Sequence, residues 1–548
     1  MHGNMMQWPL LISSIFRHAT TYHHDQEIVS VTADQPQFRY TFTDFAARVC
    51  QLANALTNAG VKPGDRIATM AWNDHRHLEL YYAISGIGAV CHTINPRLFP
   101  EQIEYIVEHA EDTLLFADPM FVELITPITA RSNTVRAVIV LDDGATTVDG
   151  IASTSYEDFI ACEAETFAWP EFDENSACAL CYTSGTTGNP KGVLYSHRST
   201  VLHALTVTTP NALEIGMQDA VLPVVPLFHV NAWGIPYAAL LSGAKLVLPG
   251  AALDGESLYS LMEREAVSVT AGVPTVWLGL QKHLQENNRK LPSLKRMIVG
   301  GSAAPSSMIE YFETQQDVNF VHAWGMTEMS PLGTVCRLKP AMQQDSREAR
   351  TAQKIKQGMP VFGVELKIVD DDGMRLPHDG EAMGELWVRG PWITSGYFRN
   401  PEGSRSDFDS EGYFRTGDIS TIDSQGYMRI CDRAKDVIKS GGEWISSIDL
   451  ENVAVGHPKV AEAAVIGVPC DKWQERPLLV VVLKKPGSEL TLNEMRDFLT
   501  GKVPKWWQPG AMEVVDSLPH TATGKIQKRA LRQQFADFSF TSSTEGSI

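Results

Sequence analysis

A chain of 548 residues is long for one core and predicts two or more domains, and 44% hydrophobic content with both charge signs present reads as soluble and globular. A net charge of -19 argues against a general binder of nucleic acid or of anionic membrane, so any grip on an anionic substrate has to be local. Eight cysteines are too sparse for a secreted disulfide scaffold and point to a reducing cytoplasm.

The first 16 residues carry no basic segment ahead of their short apolar run. No uncharged span approaches the ~20 residues that cross a bilayer, so neither secretion nor membrane spanning is expected. Apolar residues at helical spacing predict a helix over 45–59, with Thr43 as its cap and Gly60 as its stop, followed by a strand over 66–72. Alternation continues with elements at 78–87, 89–94, 101–108 and 114–117, and later at 258–265, 267–271 and 296–299. Such alternation favours parallel sheets flanked by helices, with ligands at the carboxyl ends of strands. No repeat at solenoid periods is present.

Residues 177–182 predict a buried strand leading into Tyr182-Thr-Ser-Gly-Thr-Thr-Gly-Asn-Pro-Lys-Gly192. This composition suits phosphate: the glycines let the backbone approach an anion, Thr183, Ser184, Thr186 and Thr187 offer hydroxyls, and Lys191 brings a point charge. It is not the loop of P-loop NTPases, because Asn189 and Pro190 separate Gly188 from Lys191 and no helix opens with Lys-Ser/Thr. On turn chemistry alone, a polar connection between two strands is the competing reading. Cys178 and Cys181 form a C-x-x-C inside the apolar strand, and without a second pair at zinc spacing they read as core thiols.

Further motifs follow in order. Pro226-Leu-Phe-His-Val-Asn-Ala-Trp233 comes after a strand at 220–225, and Gly272-Val-Pro-Thr-Val-Trp277 comes later. Gly300-Gly-Ser-Ala-Ala-Pro305 follows the strand at 296–299, where small residues let a flat ligand lie on the backbone. Ala323-Trp-Gly-Met-Thr-Glu328 follows a strand at 318–322; an aromatic face suits a base, and a carboxylate suits magnesium bridging phosphates. A core aromatic and a surface acid are the plain alternatives. Short strands at 364–369 and 385–389, with an Asp371-Asp372-Gly373 turn, predict a small β subdomain ending in Tyr413-Phe-Arg-Thr-Gly-Asp418. The charge cluster Asp432-Arg-Ala-Lys-Asp436 predicts a polar boundary. Beyond it lie Lys439-Ser-Gly-Gly-Glu-Trp-Ile445, elements at 463–468, 478–483 and 492–499, and Leu518-Pro-His-Thr-Ala-Thr-Gly-Lys525.

Taken in this order from Tyr182 to Lys525, the strings resemble the acyl-adenylate-forming superfamily, which includes acyl-CoA synthetases, nonribosomal-peptide adenylation domains and firefly luciferase. The resemblance implies an α/β fold: a large N-terminal domain of flanked parallel sheets over 1–431, with a β subdomain at about 360–431, a hinge at 432–436, and a small mobile α+β domain over 437–548. It places ATP or AMP against Thr183, Ser184, Gly185, Thr186, Thr187 and Lys191, against Gly301, Ser302, Ala303, Ala304 and Pro305, and against His322, Ala323, Trp324, Gly325 and Met326. Asp418 and Arg433 would meet ribose, with Ile430 beside them. Thr327, Glu328, His229 and the adenylation lysine Lys525 are implied as catalytic, and magnesium is implied on Glu328 and Thr183. Val230, Trp233 and Trp277 would line or gate the acyl tunnel, although helix packing accounts equally for Trp277. Lys435 would be the hinge, and Lys439, Gly441, Gly442, Glu443 and Trp444 would face CoA. The chain departs from common family residues at Trp324, where many relatives carry tyrosine, at Trp444 and Ser447, where asparagine and proline are frequent, and at His520.

The chemistry so implied is ATP-dependent acyl-CoA synthesis. A carboxylate attacks the α-phosphorus to give acyl-AMP and pyrophosphate, and the CoA thiol then displaces AMP. Cys91-His-Thr-Ile-Asn-Pro-Arg97 and Val230-Asn-Ala-Trp233 resemble bacterial medium-chain acyl-CoA ligases and 3-methylmercaptopropionate-CoA ligases. A medium-chain fatty acid is therefore expected, with 3-methylmercaptopropionate or a long-chain acid as alternatives. Partners are the carboxylic acid, ATP and CoA, with no nucleic acid and no membrane span; a homodimer is left open. A nonribosomal module would need a carrier domain, and a luciferase-type oxygenase shares the fold. A non-catalytic nucleotide sensor is disfavoured by Lys191, Glu328, Asp418 and Lys525 occurring together.

Overall fold

In the computed structural model, which describes residues 1–540 except 2, 33, 145, 184–188, 442, 471, 486 and 521–525, the first long amphipathic helix spans Phe42–Asn58. Its cap is Thr41 and not the expected Thr43. The Thr41 hydroxyl oxygen accepts from Asp44 N while the Asp44 carboxylate accepts from Thr41 N at 2.9 Å, a reciprocal capping box. Thr43 instead donates to the His24 carbonyl. The start moves because Phe42 is itself buried and extends the apolar stripe of Phe45, Val49, Leu52 and Leu56 by one position.

One compact unit comprises residues 1–364 and 389–414. It holds two open sheets. The first runs in the order Ser153–Ser155, Ala137–Val140, Asp112–Ala117, Arg66–Met70, Val90–Thr93, Ala177–Tyr182 and Gly192–Ser196, with neighbours parallel except for the last pair. The second runs Met359–Pro360, Leu332–Val335, Asn319–Gly325, Arg296–Val299, Val269–Gly272, Ala220–Pro223, Lys245–Leu248, Glu27–Ser30 and Phe38–Thr41, parallel through its middle and antiparallel at both edges. The strands read as continuous apolar runs because helices cover both faces. Met70, Ile103, Val107, Leu115 and Val138 form one core, and Leu222, Val247, Trp277, Met297 and Phe320 another. Each motif of this unit leaves the carboxyl end of a strand: Tyr182, Pro223, Val299 and Gly325 are the last strand residues before the phosphate loop, the His229 segment, the Gly300 segment and the Thr327 segment.

The second unit comprises residues 365–388 and 415–548. A four-stranded sheet takes Glu365–Val369, Gly384–Arg389, Phe414–Ile422 and Met428–Arg433, in that order. A second sheet orders Glu443–Ile445, Ile438–Ser440, Gln474–Leu483 and Val460–Cys470, with Ala511–Val514 pairing parallel to Gln474–Leu483. Ile438, Leu450, Val465, Leu479, Met495 and Leu499 fill its core. The cluster at 432–436 is not simply solvated: Asp432 is buried and accepts from both the amide and the hydroxyl of Ser447, at 2.7 and 2.5 Å. The compact units divide at 364/365, 388/389 and 414/415, and the segment 432–436, where the hinge is expected, lies inside the second unit.

Cys178 and Cys181 are buried free thiols, pushed up by burial to about 12 and about 11. Among the described residues no helix is long and apolar enough to cross a membrane.

Candidate active site

The strand Ala177–Tyr182 turns back on Gly192–Ser196 as an antiparallel pair, so the phosphate-type loop is a hairpin connection. Its mouth is closed by Thr183 and Lys191: Thr183 N donates to the Lys191 carbonyl at 2.9 Å, and Lys191 N donates to Thr183 Oγ1 at 3.2 Å. Ser184, Gly185, Thr186 and Thr187 lie outside the described residues, as do Gly442 and Lys525. The Lys191 ammonium sits 4.4 Å from the centre of the Tyr397 ring and 3.9 Å from Asp407 Oδ2, with its side chain 47% exposed. A cation so placed is held over an aromatic face while its charge stays available to an anion.

Thr327 and Glu328 begin a short 3-10 turn directly after the strand Asn319–Gly325, and both are buried. The turn is fixed from two sides: the Tyr195 hydroxyl donates to the Thr327 carbonyl at 2.7 Å, and Thr394 N donates to the Glu328 carbonyl at 2.7 Å. The Glu328 carboxylate accepts from the Tyr397 hydroxyl at 2.7 Å. Burial and the Glu328 charge raise the Tyr397 phenol well above its ordinary range, so it stays protonated and donates. Glu328, Ser330, Thr394 and Tyr397 line a cavity of about 490 Å³. Tyr195 and Tyr397 were not anticipated from sequence. Tyr195 reads as a strand residue three positions past a glycine, and Tyr397 sits in a loop with no spacing to flag it.

Trp324 is partly buried on its strand, paired in register with Thr334, with its ring against Gly333. His322 is a buried histidine, its Nδ1 2.9 Å from the Ile355 carbonyl, and burial lowers its pKa, so it is a neutral ring donating to the backbone. Ala323 is buried beside it, Gly325 closes on the Pro331 backbone, and Met326 N donates to the Pro331 carbonyl at 3.2 Å. Gly301, Ser302, Ala303, Ala304 and Pro305 form the connection from the strand Arg296–Val299 to the helix Ser306–Gln315, with Gly301 and Ser302 exposed. The Trp233 ring reaches this connection. A Cβ at Gly300 would lie 3.2 Å from Trp233 Cη2 and 2.9 Å from the Ala323 carbonyl, so only glycine lets the three meet.

Trp233 gets there through an uncommon backbone. Val230, Asn231, Ala232, Trp233 and Gly234 all have positive φ, between 47° and 71°. For residues other than glycine and asparagine this conformation costs roughly 1–2 kcal/mol each, and strain of this kind concentrates at functional sites. His229 precedes the turn in extended conformation, with its carbonyl accepting from Ala232 N at 3.1 Å. Trp277, by contrast, is fully buried within the helix–sheet core of Leu222, Leu280 and Met297, which favours packing for this residue.

In the second unit the antiparallel pair Phe414–Ile422 and Met428–Arg433 sets Asp418 opposite Arg433, and Arg433 Nε lies 2.9 Å from Asp418 Oδ1. Asp418 is buried, while the Arg433 side chain is 45% exposed. Ile430 pairs with Ser420 on the same two strands. Lys435 is exposed just past the end of its strand. Lys439 and Trp444 are register partners, with the ammonium 5.3 Å from the indole. Glu443 heads the strand Glu443–Ile445, and Gly441 has a φ of 63° with the Trp473 ring where a side chain would stand.

The AMP-binding enzyme family matches residues 15–398, and the AMP-binding enzyme C-terminal domain matches residues 449–525. A 3-methylmercaptopropionyl-CoA ligase of Ruegeria lacuscaerulensis is 50% identical over 541 residues, 98% of this chain and 99% of its own. A medium-chain-fatty-acid–CoA ligase of Ectopseudomonas oleovorans is 49% identical over 548 residues, 99% of each. Among solved structures, the anthranilate CoA ligase AuaEII in complex with anthranoyl-AMP superposes with a TM-score of 0.85 at 27% identity, covering 97% of this chain and 99% of that one. With matches over most of its length, this chain belongs to the AMP-binding enzyme family and has the adenylate-forming fold, a large N-terminal α/β domain and a smaller C-terminal α+β domain.

Proposed function

We propose that this chain, an AMP-forming acid–thiol ligase using ATP, CoA and magnesium, activates a medium-chain fatty acid. The observation that carries the proposal is the convergence of Thr183, Lys191, Tyr397 and Glu328 at the carboxyl ends of two strands, in a chain 49% identical along its length to a medium-chain-fatty-acid–CoA ligase. Carboxylate and triphosphate are both anionic, so the site has to neutralise charge before their atoms meet. Lys191 supplies a cation at the mouth of the loop, and Lys525 is assigned to the carboxylate and the phosphate being attacked. Glu328 offers the hard carboxylate oxygen magnesium prefers, and no group of three or more His, Cys, Asp or Glu side chains converges among the described residues; that suits an ion taking most of its ligands from phosphate and water. Bound there, magnesium would offset the charge of the phosphates.

Trp324 stacks on the purine in this reading, Asp418 accepts from the ribose hydroxyls with Arg433 beside it, and Trp233 bounds the acyl group. Lys435 acts as the hinge between adenylation and thioester formation, after which Lys439, Gly441 and Trp444 face CoA. A cytoplasmic setting completes the reading, and the oligomeric state stays open.

A second substrate is favoured by the 50% identity to a 3-methylmercaptopropionyl-CoA ligase. Its acid is isosteric with pentanoate, sulfur replacing one methylene, so an apolar pocket discriminates it from a longer chain only by the fit of the missing carbons, about 1–3 kcal/mol per methylene. Pyrophosphate release measured from propionate to palmitate, with 3-methylmercaptopropionate alongside, decides. A maximum near octanoate is expected; a maximum at the thioether acid or at palmitate replaces the substrate, and no release with any acid overturns the reading.

A further inference from the structure

The left-handed run Val230–Gly234 includes a β-branched valine, an alanine and a tryptophan, none of which favours positive φ, so something outside the run has to hold it. The holding groups converge on Asn231, which is 3% exposed. The Cys181 thiol donates to Asn231 Oδ1 at 3.4 Å, and the Tyr81 hydroxyl, which donates to the Leu227 carbonyl, stands 3.3 Å from the same oxygen. Cys181 remains a thiol at neutral pH because burial pushes it up to about 11, and its sulfur is 3.4 Å from Thr93 Oγ1. The approach to the run is fixed as well. Asn73 accepts from Leu227 N at 2.6 Å and donates to the carbonyls of Pro223 and Val225 at 2.8 and 2.9 Å. Trp233, two residues beyond Asn231, reaches Gly300.

We infer that Asn231 is a positioning residue for the acyl substrate: its carboxamide, gripped by Cys181 and Tyr81, holds the turn that sets Trp233 over Gly300 and so fixes which chain lengths fit. This rests on the assignment of Trp233 to the acyl group. It adds a link to the strand Ala177–Tyr182, because Cys181 stands two residues before Thr183 at the loop mouth.

Asn231→Gly separates the two things asparagine does there, since glycine accepts positive φ but has no carboxamide. Cys181→Ala removes the donor from the other side, and Cys181→Ser restores one; either Cys181 variant tests the inference if Asn231→Gly does not fold. Carboxylate and ATP KM values are measured by pyrophosphate release across chain lengths. In parallel, 5-fluorotryptophan-labelled protein is followed by 19F NMR, with the Trp233 signal assigned through Trp233→Phe. Asn231→Gly and Cys181→Ala are expected to raise the octanoate KM by roughly tenfold, the size of one lost buried hydrogen bond, with the ATP KM within about twofold. They should also flatten the chain-length profile and shift the Trp233 signal, and Cys181→Ser should return both. A parent-like profile with an unmoved Trp233 signal in Asn231→Gly overturns the inference. So does a uniform fall in kcat at unchanged KM, which is what loss of structure alone produces. If the parent releases no pyrophosphate with any acid, the ligase reading falls, and the fluorine signal alone then decides whether Asn231 positions the turn.

Discussion

Tyr397 and Glu328 are joined by a phenol-to-carboxylate hydrogen bond of 2.7 Å, and the ring of the same tyrosine carries the Lys191 ammonium 4.4 Å from its centre. One side chain thus orients both the carboxylate assigned to magnesium and the lysine at the loop mouth. A carboxylate held by such a donor keeps its orientation, which is how an outer partner tunes a metal ligand. Tyr397→Phe keeps the ring under Lys191 and removes only the donor. Half-saturating magnesium in carboxylate-dependent pyrophosphate exchange should rise about tenfold or more, with the ATP KM at saturating magnesium nearly unchanged. A magnesium curve superimposable on the parent's removes Glu328 from the metal assignment.

Lys191→Ala removes a charge-assisted contact worth roughly 1.5–3 kcal/mol if the ammonium meets the phosphates. The apparent ATP affinity should fall about tenfold or more, since each ~1.4 kcal/mol is a factor of ten. The ion pair with Asp407 at 3.9 Å does not confound this, because a half-exposed pair contributes little to stability. Equal ATP dependence in a folded variant would take Lys191 out of the site.

Much of this arrangement was legible in the sequence because parallel sheets write themselves as short apolar runs followed by small or polar residues. The strands Ala177–Tyr182 and Arg296–Val299 fall where the periodicity puts them, and the motifs follow at their carboxyl ends. Contacts between residues far apart in the chain were not legible. Tyr397 meets Glu328 across 69 positions, Cys181 meets Asn231 across 50, and no local pattern marks either pair. The left-handed turn at 230–234 was hidden for a related reason: only Gly234 and, more weakly, Asn231 favour positive φ, and Val230, Ala232 and Trp233 adopt it under tertiary constraint. Asp432 was read as part of a polar linker because charge clusters usually are, but Ser447, 15 residues on, supplies the donors that bury it.

Trp233→Ala removes the ring from Gly300 and leaves an enlarged space at the assigned acyl end. Medium chains should lose more kcat/KM than propionate, by about 1–3 kcal/mol at most for each methylene no longer fitted. Competition between octanoate and propionate in one reaction reads the ratio directly. An unaltered ratio assigns Trp233 to packing.

Glu265 offers a test of stability that is independent of catalysis. Its carboxyl is buried, which pushes the pKa up, yet hydrogen bonds from Lys245, Arg39 and Arg264 at 3.0, 2.7 and 3.0 Å outweigh that and hold it at about 2. A folded pKa depressed below the unfolded one means stability that is present above about 4.5 and is lost as pH falls toward 2. Glu265→Gln should therefore unfold at a lower temperature than the parent at pH 7, with the gap narrowing only below about pH 4.5. Scanning calorimetry of both proteins from pH 7 down to about pH 3 measures it, and a gap that widens on acidification contradicts the ion-pair account.

Lys525 and Lys435 separate the two half-reactions. The proposal gives Lys525 a role only while the carboxylate attacks phosphorus, where negative charge grows and a preorganised cation matters most. Lys525→Ala should slow acyl-AMP formation by roughly 10²–10³, by analogy with removing one donor from a developing oxyanion. Supplied with synthetic acyl-AMP and CoA, the same variant should still make thioester, because displacement of AMP by the thiol does not involve that lysine. Lys435→Pro should do the reverse. Proline fixes φ near −65° and removes an amide hydrogen, so a backbone that has to rotate at this position is held in one arrangement while adenylation proceeds. Circular dichroism and thermal midpoints first establish that both variants are folded. Carboxylate-dependent pyrophosphate exchange is then run beside thioester formation from acyl-AMP. Opposite losses in the two variants support a site that changes partners between steps; parallel loss of both activities in both variants means that one arrangement serves the whole reaction and that 432–436 is not a pivot.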